Sequence, residues 1–214
     1  MSATSYSRVK DGRKNLTPHF TVQEFACRDG SDKILLDTAL PKLLEDIRTR
    51  AGGRPVTVNS GYRTPTYNVA VGGAKDSLHI KGLAADIVIA GIKPSDTAIA
   101  AEMAMFSAGK KGGIGLYQSF VHVDIREGLW RQNMVTGKTV SGFGPAARPI
   151  LRKGFGNRAD VLELQTRLNL CGAILTQDGL FGSATDAAVR AFQTKRKMTS
   201  DGIAGRMTWL ALYV

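Results

Sequence analysis

Histidine and cysteine are both scarce in this 214-residue chain, with three of the first and two of the second. Two cysteines cannot build a zinc site alone. Cys27 and Cys171 also fall in stretches that the pattern assigns to different domains, so no disulfide is expected between them. Both read as buried thiols, which suits synthesis in a reducing compartment. Long apolar runs are missing as well: the stretch around Ile87 to Ile92 is far too short to span a bilayer, and no membrane insertion is expected. Met1 to Asn15 is polar and basic with no apolar core, so no secretory signal is expected there. No basic stretch is interleaved with aromatics, which argues against nucleic-acid binding. No carboxylate pair stands out by its spacing, which argues against glycoside hydrolysis.

What is present is a foldable, basic chain. Hydrophobic residues make up 43% of it, enough to bury a core. The net charge is +11, which favours anionic partners: nucleic acid, membrane surfaces or acidic wall polymers. Residues 155–214 hold seven Lys/Arg and five Asp/Glu, so most of the excess lies before them.

The stretch Thr136 to Arg158 is rich in Gly, Pro, Lys and Arg and has no period. It divides the chain into residues 1–135, a linker over 136–154, and residues 155–214. In the first part, Thr21 and Glu24 form a capping-box pattern. Leu40, Leu43, Leu44 and Ile47 follow helical spacing that Gly52-Gly53 would end. Strands are expected over Pro55–Asn59, Leu83–Ala90, Gly115–Tyr117 and Phe120–Ile125, the last two joined by a turn at Gln118-Ser119. A helix is expected over Thr97–Phe106, entered through Pro94 and Ser95. The class is α+β, a small antiparallel sheet with helices. In the last part, Asp178-Gly-Leu-Phe-Gly-Ser-Ala-Thr185 repeats as Asp201-Gly-Ile-Ala-Gly-Arg-Met-Thr208. Each Gly-containing turn leads into an apolar-periodic helix. Ser183 with Asp186 would cap the longer one and bury Ala187, Val189 and Phe192. An earlier helix carries Val161, Leu164, Leu168 and Leu170, giving an all-α module of three helices.

The histidines are His19, His79 and His122. His19 precedes the first helix and reads as structural. His79 is followed by Gly82 and Asp86, and His122 by Asp124. Zinc takes nitrogen and carboxylate oxygen ligands, with three from protein and one position open at a catalytic site. A straight strand would hold His79 and Asp86 about 23–25 Å apart. To share an ion the chain must double back, and Gly82 is where it can do so cheaply. Asp86 lies in an otherwise apolar strand, where an unpartnered charge is costly; a metal or an Arg would offset that cost.

The run Ser77-x-His79-x-x-Gly82-x-Ala84-x-Asp86, followed by His122-x-Asp124, resembles the zinc D-alanyl-D-alanine carboxypeptidase and L-alanyl-D-glutamate endopeptidase family. The resemblance runs from about His19-Phe20 to Trp130 and includes Val58-Asn-Ser-Gly-Tyr62-Arg63-Thr-Pro and Asn68-x-x-x-Gly72-Gly73. It implies a zinc peptidase domain in which His79, Asp86 and His122 hold Zn2+. Arg63 would grip a substrate carbonyl or carboxylate, with Ser77 and Tyr62 also at the substrate. Many relatives place an acidic general base three positions before the last His; here that position is Ser119. Asp124 is the substitute candidate for the proton acceptor. It could instead orient a ligand or pair with Arg63 or Arg126.

The repeat, together with Val161-Leu-Glu-Leu-Gln165, Phe192-Gln193 and Thr208-Trp209, is similar to a common helical peptidoglycan-binding module. Together the two resemblances imply a monomeric enzyme that cuts peptidoglycan stem or cross-link peptides. A wall-degrading enzyme with a wall anchor and no signal resembles a phage endolysin, held in the host cytoplasm until a membrane pore releases it to the wall. The alternatives are a bacterial wall-remodelling carboxypeptidase and a non-catalytic wall-binding protein.

Overall fold

A computed structural model describes residues 3–213, so Met1, Ser2 and Val214, at the outer limits of the expected domains, lie outside it. The chain forms two compact units, Met1–Val140 and Ser141–Val214.

The first unit opens with β1 (Thr4–Ser7), a short α1 (Arg8–Asp11), β2 (Asn15–Thr17) and β3 (Phe20–Thr21). One 3-10 turn, Val22–Phe25, follows; the Glu24 carboxylate reaches back to accept from the Thr21 N–H at 2.6 Å, as the capping pattern predicts. Then come β4 (Lys33–Leu36), α2 (Ala39–Arg50), β5 (Val56–Ser60), α3 (Pro65–Ala70), β6 (Ala84–Ile89) and α4 (Pro94–Ser107). The unit ends with β7 (Gly112–Leu116), β8 (Val121–Asp124), β9 (Leu129–Asn133) and β10 (Lys138–Thr139). Leu40, Leu43, Leu44 and Ile47 of α2 are all buried, and Gly52 and Gly53 end the helix with positive φ.

Six strands make the main sheet in the order β10-β9-β7-β8-β6-β5. The expectation of an antiparallel sheet needs one correction, because β9 pairs parallel to β7. The connection from β8 to β9 crosses the start of β7, where Gly112 (φ +85°) and Gly113 stand. A Cβ at Gly112 would strike the Asp124 backbone oxygen. On the far side β9 is pinned to α4, where buried Arg131 donates to Glu102 at 2.6 and 3.0 Å. Short strands with mixed apolar and polar residues carry little sequence period, which is why β1, β2, β3, β4, β9 and β10 were not anticipated.

Strand alternation sorts the sheet into two faces. Ala85 and Ile87 pair with Val123 and Val121, all buried on the face covered by α4. Ala84 and Asp86 pair with Asp124 and His122 on the other face.

The second unit contains α5 (Arg158–Leu170), α6 (Ser183–Lys195) and α7 (Arg206–Ala211). Much of the stretch expected as a linker is structured. Lys138–Thr139 pair with β9, while Phe143, Ala146 and Leu151 are buried and Leu151 bridges Ala204. The indole N–H of fully buried Trp209 donates to the Pro149 carbonyl at 2.9 Å. Gly and Pro in that stretch shape packed turns, which composition alone does not separate from a linker.

Three side chains differ from their expected places. Leu170 is 73% exposed, since the buried stripe of α5 is Val161, Leu164, Gln165 and Leu168. On α6 the buried residues are Thr185, Val189, Phe192 and Gln193, so Ala187 faces solvent. Gly182, not Ser183, is the N-cap of α6, and Asp186 pairs with Arg190 at 2.9 Å. Cys27 is buried, Cys171 is half-buried, and both are free.

The repeat is held by a device built twice. The Gln165 amide donates to Asp178 (2.8 Å), to the Leu180 carbonyl (3.2 Å) and to Thr185 (3.2 Å), while its oxygen accepts from the Gly179 N–H (2.9 Å). Gln193 makes the same four contacts with Asp201, Ile203, Thr208 and Gly202 at 2.7, 3.0, 3.1 and 3.0 Å. The Asp-Gly turns are thus structural, each stapled to the helix before it.

Candidate metal centre

His79, Asp86 and His122 converge. Asp86 and His122 are direct partners on β6 and β8. His79 reaches them because the chain turns back at Gly82 (φ +70°), as its position predicts. Gly82 is required there for space too, since a Cβ would collide with the Leu35 carbonyl. The three donor atoms form a near-equilateral triangle: His79 Nε2 to His122 Nδ1 is 3.2 Å, His122 Nδ1 to Asp86 Oδ1 is 2.9 Å, and His79 Nε2 to Asp86 Oδ1 is 3.2 Å. Ligands in a tetrahedral zinc site stand about 3.3 Å from one another.

The hydrogen bonds on the outer side of each ring test the fit. The His79 Nδ1–H donates to the Gly61 carbonyl at 2.7 Å, and the His122 Nε2–H faces Asp124 Oδ2 at 3.2 Å. With those protons so placed, both inward nitrogens present lone pairs to each other and to a carboxylate oxygen. Such a cluster calls for a cation, and two imidazoles with one carboxylate suit zinc. The site's electrostatics agree. Burial alone would push the Asp86 carboxyl up, but hydrogen bonds and charge from His122 and His79 outweigh it and hold it well below the usual carboxylate range.

Around the centre lies an open cleft of about 650 Å³. Its lining includes Arg63, Ser77, Tyr117, Phe120, Arg126 and Trp130. Arg63, half-buried, donates to Asp86 Oδ2 at 2.6 Å and to Ser60 at 2.8 Å. Ser77 accepts a long bond (3.4 Å) from the His79 N–H. Tyr62 is buried and is absent from the cleft lining, which departs from its expected place at the substrate. Its backbone N–H donates to the Phe25 carbonyl at 2.8 Å. His19 pairs with Glu45 on the surface, away from the cluster.

Asp124 does not sit as a proton acceptor should. Its side chain is 0% exposed, and Arg126 donates to it through Nε (2.8 and 3.0 Å), Nη2 (2.5 Å) and the backbone N–H (3.1 Å). It faces the outer nitrogen of His122, while the metal-facing nitrogen is on the opposite side of the ring. Ser119 lies in the turn before β8 and is exposed. Among the described residues lining the cleft, the other carboxylates are Asp86 and Asp76; Asp76 is exposed and makes no ion pair.

Sequence reasoning missed the Gly61 carbonyl, the Trp130 ring edge-on to His122 at 5.9 Å, and the stacked Tyr117–Phe120 pair at 4.2 Å. A backbone acceptor leaves no signature in side-chain identity. Gly61 itself was readable only as a small residue; a Cβ there would lie 2.6 Å from Phe25 Cα.

The peptidase M15 model matches residues 18–124, and the model of a putative peptidoglycan-binding domain matches residues 157–212. A zinc D-Ala-D-Ala carboxypeptidase from Streptomyces albus G is 48% identical over 44 residues, covering 21% of this chain and 17% of that protein. The chain therefore spans about a sixth of the curated relative's length. Among solved structures, a peptidoglycan-binding protein from Clostridioides difficile in complex with glutamine hydroxamate is 38% identical over 30% of this chain and 40% of its own, with a TM-score of 0.29. A Burkholderia AP3 phage endolysin is 48% identical over 30% of this chain and 24% of its own, with a TM-score of 0.28. With its family model matched from residue 18 through the last strand of the metal cluster, the chain belongs to the peptidase M15 family.

Proposed function

We propose that this chain is a zinc peptidase that cuts peptide bonds of bacterial peptidoglycan, held to the wall by its second unit. The observation that carries the reading is the His79–Asp86–His122 triangle, opening on a cleft in a chain that also matches a peptidoglycan-binding model. His79, Asp86 and His122 would hold the zinc. When bound, zinc supplies a Lewis acid that acidifies water and polarises a carbonyl.

The chain's own groups do the rest. Gly61 and Asp124 fix the two imidazole rings so that each turns a lone pair inward. Arg63 orients Asp86 through one guanidinium nitrogen and leaves a cationic edge in the cleft for a substrate carbonyl or carboxylate. Tyr117, Phe120 and Trp130 line the cleft and offer aromatic surface to a substrate beside the metal site. Asp76, an exposed carboxylate lining the cleft, would be the acceptor for the proton of the attacking water.

Release from the cytoplasm of an infected cell, as a lytic enzyme, is the setting we favour. Among the described residues no helix is long and apolar enough to cross a membrane. Defined stem peptides and cross-linked dimers test the reading: one class should be hydrolysed by the zinc-loaded protein, and which class identifies the bond. Failure to hydrolyse any of them, with wall binding intact, would leave a binding protein.

A further inference from the structure

Asp124 and Arg126 form a unit behind the metal cluster. Asp124 lies on β8 two residues after His122, so strand alternation puts both on the cleft face. Its carboxylate is wholly buried, packed over Gly113 of β7, its cross-strand partner. A Cβ at Gly113 would run into that carboxylate, so only glycine lets it lie there. Arg126 closes over it with three side-chain contacts, and its own guanidinium rests 4.8 Å from the centroid of Trp130. Asp124 Oδ2 also faces His122 Nε2 at 3.2 Å.

We propose that Asp124 is a positioning residue for the metal, held by Arg126 so that it fixes the tautomer and orientation of His122. The two histidines are then supported unequally: His79 by a neutral carbonyl, His122 by a carboxylate with its own cationic partner. A carboxylate behind an imidazole makes it a stronger donor, and such partners are worth about 10–100-fold in metal affinity. Arg126 locks Asp124 in place, because its guanidinium donates to both carboxylate oxygens. The inference rests on the zinc reading above and adds the roles of Asp124 and Arg126 to it.

Asp124→Asn is the informative change. Both carboxylate oxygens accept from Arg126, so the amide NH2 must face a donor whichever way it is turned. Facing His122, it would favour the tautomer whose proton points into the metal site. Zinc affinity is measured by competition with a chromophoric chelator for wild type, Asp124→Asn, Asp124→Ala and Arg126→Ala. Thermal melts of the metal-free proteins run in parallel. The expected result is zinc binding weakened about 10–100-fold in both Asp124 variants and by a smaller factor in Arg126→Ala. At saturating zinc, kcat of Asp124→Asn should recover most of the loss seen at limiting zinc, as expected of a residue that acts through the metal. If Asp124→Ala does not fold, Asp124→Asn and Arg126→Ala carry the test. Wild-type zinc affinity in Asp124→Asn, with kcat lost at saturating zinc, would overturn the proposal and make Asp124 the proton acceptor. A wild-type protein that takes up no zinc would overturn the metal reading itself, a separate failure.

Discussion

At the scale of single residues, chemistry is concentrated in a few side chains whose neighbours leave them no other role. The inward nitrogens of His79 and His122 cannot face each other and Asp86 at 2.9–3.2 Å without a proton or a cation between them. His79→Ala, Asp86→Ala and His122→Ala should each lose bound zinc and all hydrolysis while the fold persists. Asp76→Asn should keep zinc and KM but lower kcat by about 10²–10⁴-fold, the range for a lost general base. Zinc content per chain and steady-state kinetics separate the two classes. A His122→Ala protein with full zinc would remove it from the ligand set. The histidine–aspartate spacing was legible in the sequence because histidine is rare and Gly82 marks the reversal. Asp124 illustrates what was not: sequence placed it on the face of His122, but which ring nitrogen it meets depends on rotamers and on Arg126 closing over it.

Among elements, helices with a clear apolar stripe were readable, as α2 shows through Leu40, Leu43, Leu44 and Ile47. The ends and edges were not. Strand β9 is set beside β7 by the Arg131–Glu102 pair and by two glycines that let the chain cross, none of which has a period. On α5 and α6 a polar residue, glutamine, sits in the buried stripe, and a hydrophobic pattern passes over it. That glutamine is the element-scale feature with the clearest energetic consequence. Gln193→Ala removes four hydrogen bonds and leaves the buried Gly202 N–H without its acceptor. A buried unsatisfied group costs about 1–3 kcal/mol, so the second unit should lose at least that much stability. Urea unfolding followed by Trp209 fluorescence in a Trp130→Phe background reports it. An unchanged midpoint would mean that the staple is incidental. Gln165→Ala should behave alike, because the contacts are the same.

For the whole molecule, the division near Val140 and Ser141 separates the metal cleft from the stapled repeat. Each unit has its own buried core, and each matches its own family model. Removing residues 141–214 should sharply reduce co-sedimentation with purified wall, leaving only a salt-sensitive remainder, while hydrolysis of a soluble stem peptide stays within a few-fold of the full chain. Equal sedimentation of both forms would place wall binding in the first unit. The basic excess, which lies mostly before residue 155, should then add a salt-sensitive attraction to the wall that weakens as ionic strength rises.

The central claim is that a zinc ion held by His79, Asp86 and His122 lets this chain cut wall peptides. Mass spectrometry of purified peptidoglycan after digestion, with and without a zinc chelator, tests it most directly. New peptide ends should appear with the native protein, vanish with the chelator and return when zinc is restored. Intact stem peptides under all three conditions, with the protein bound to the wall throughout, would contradict it.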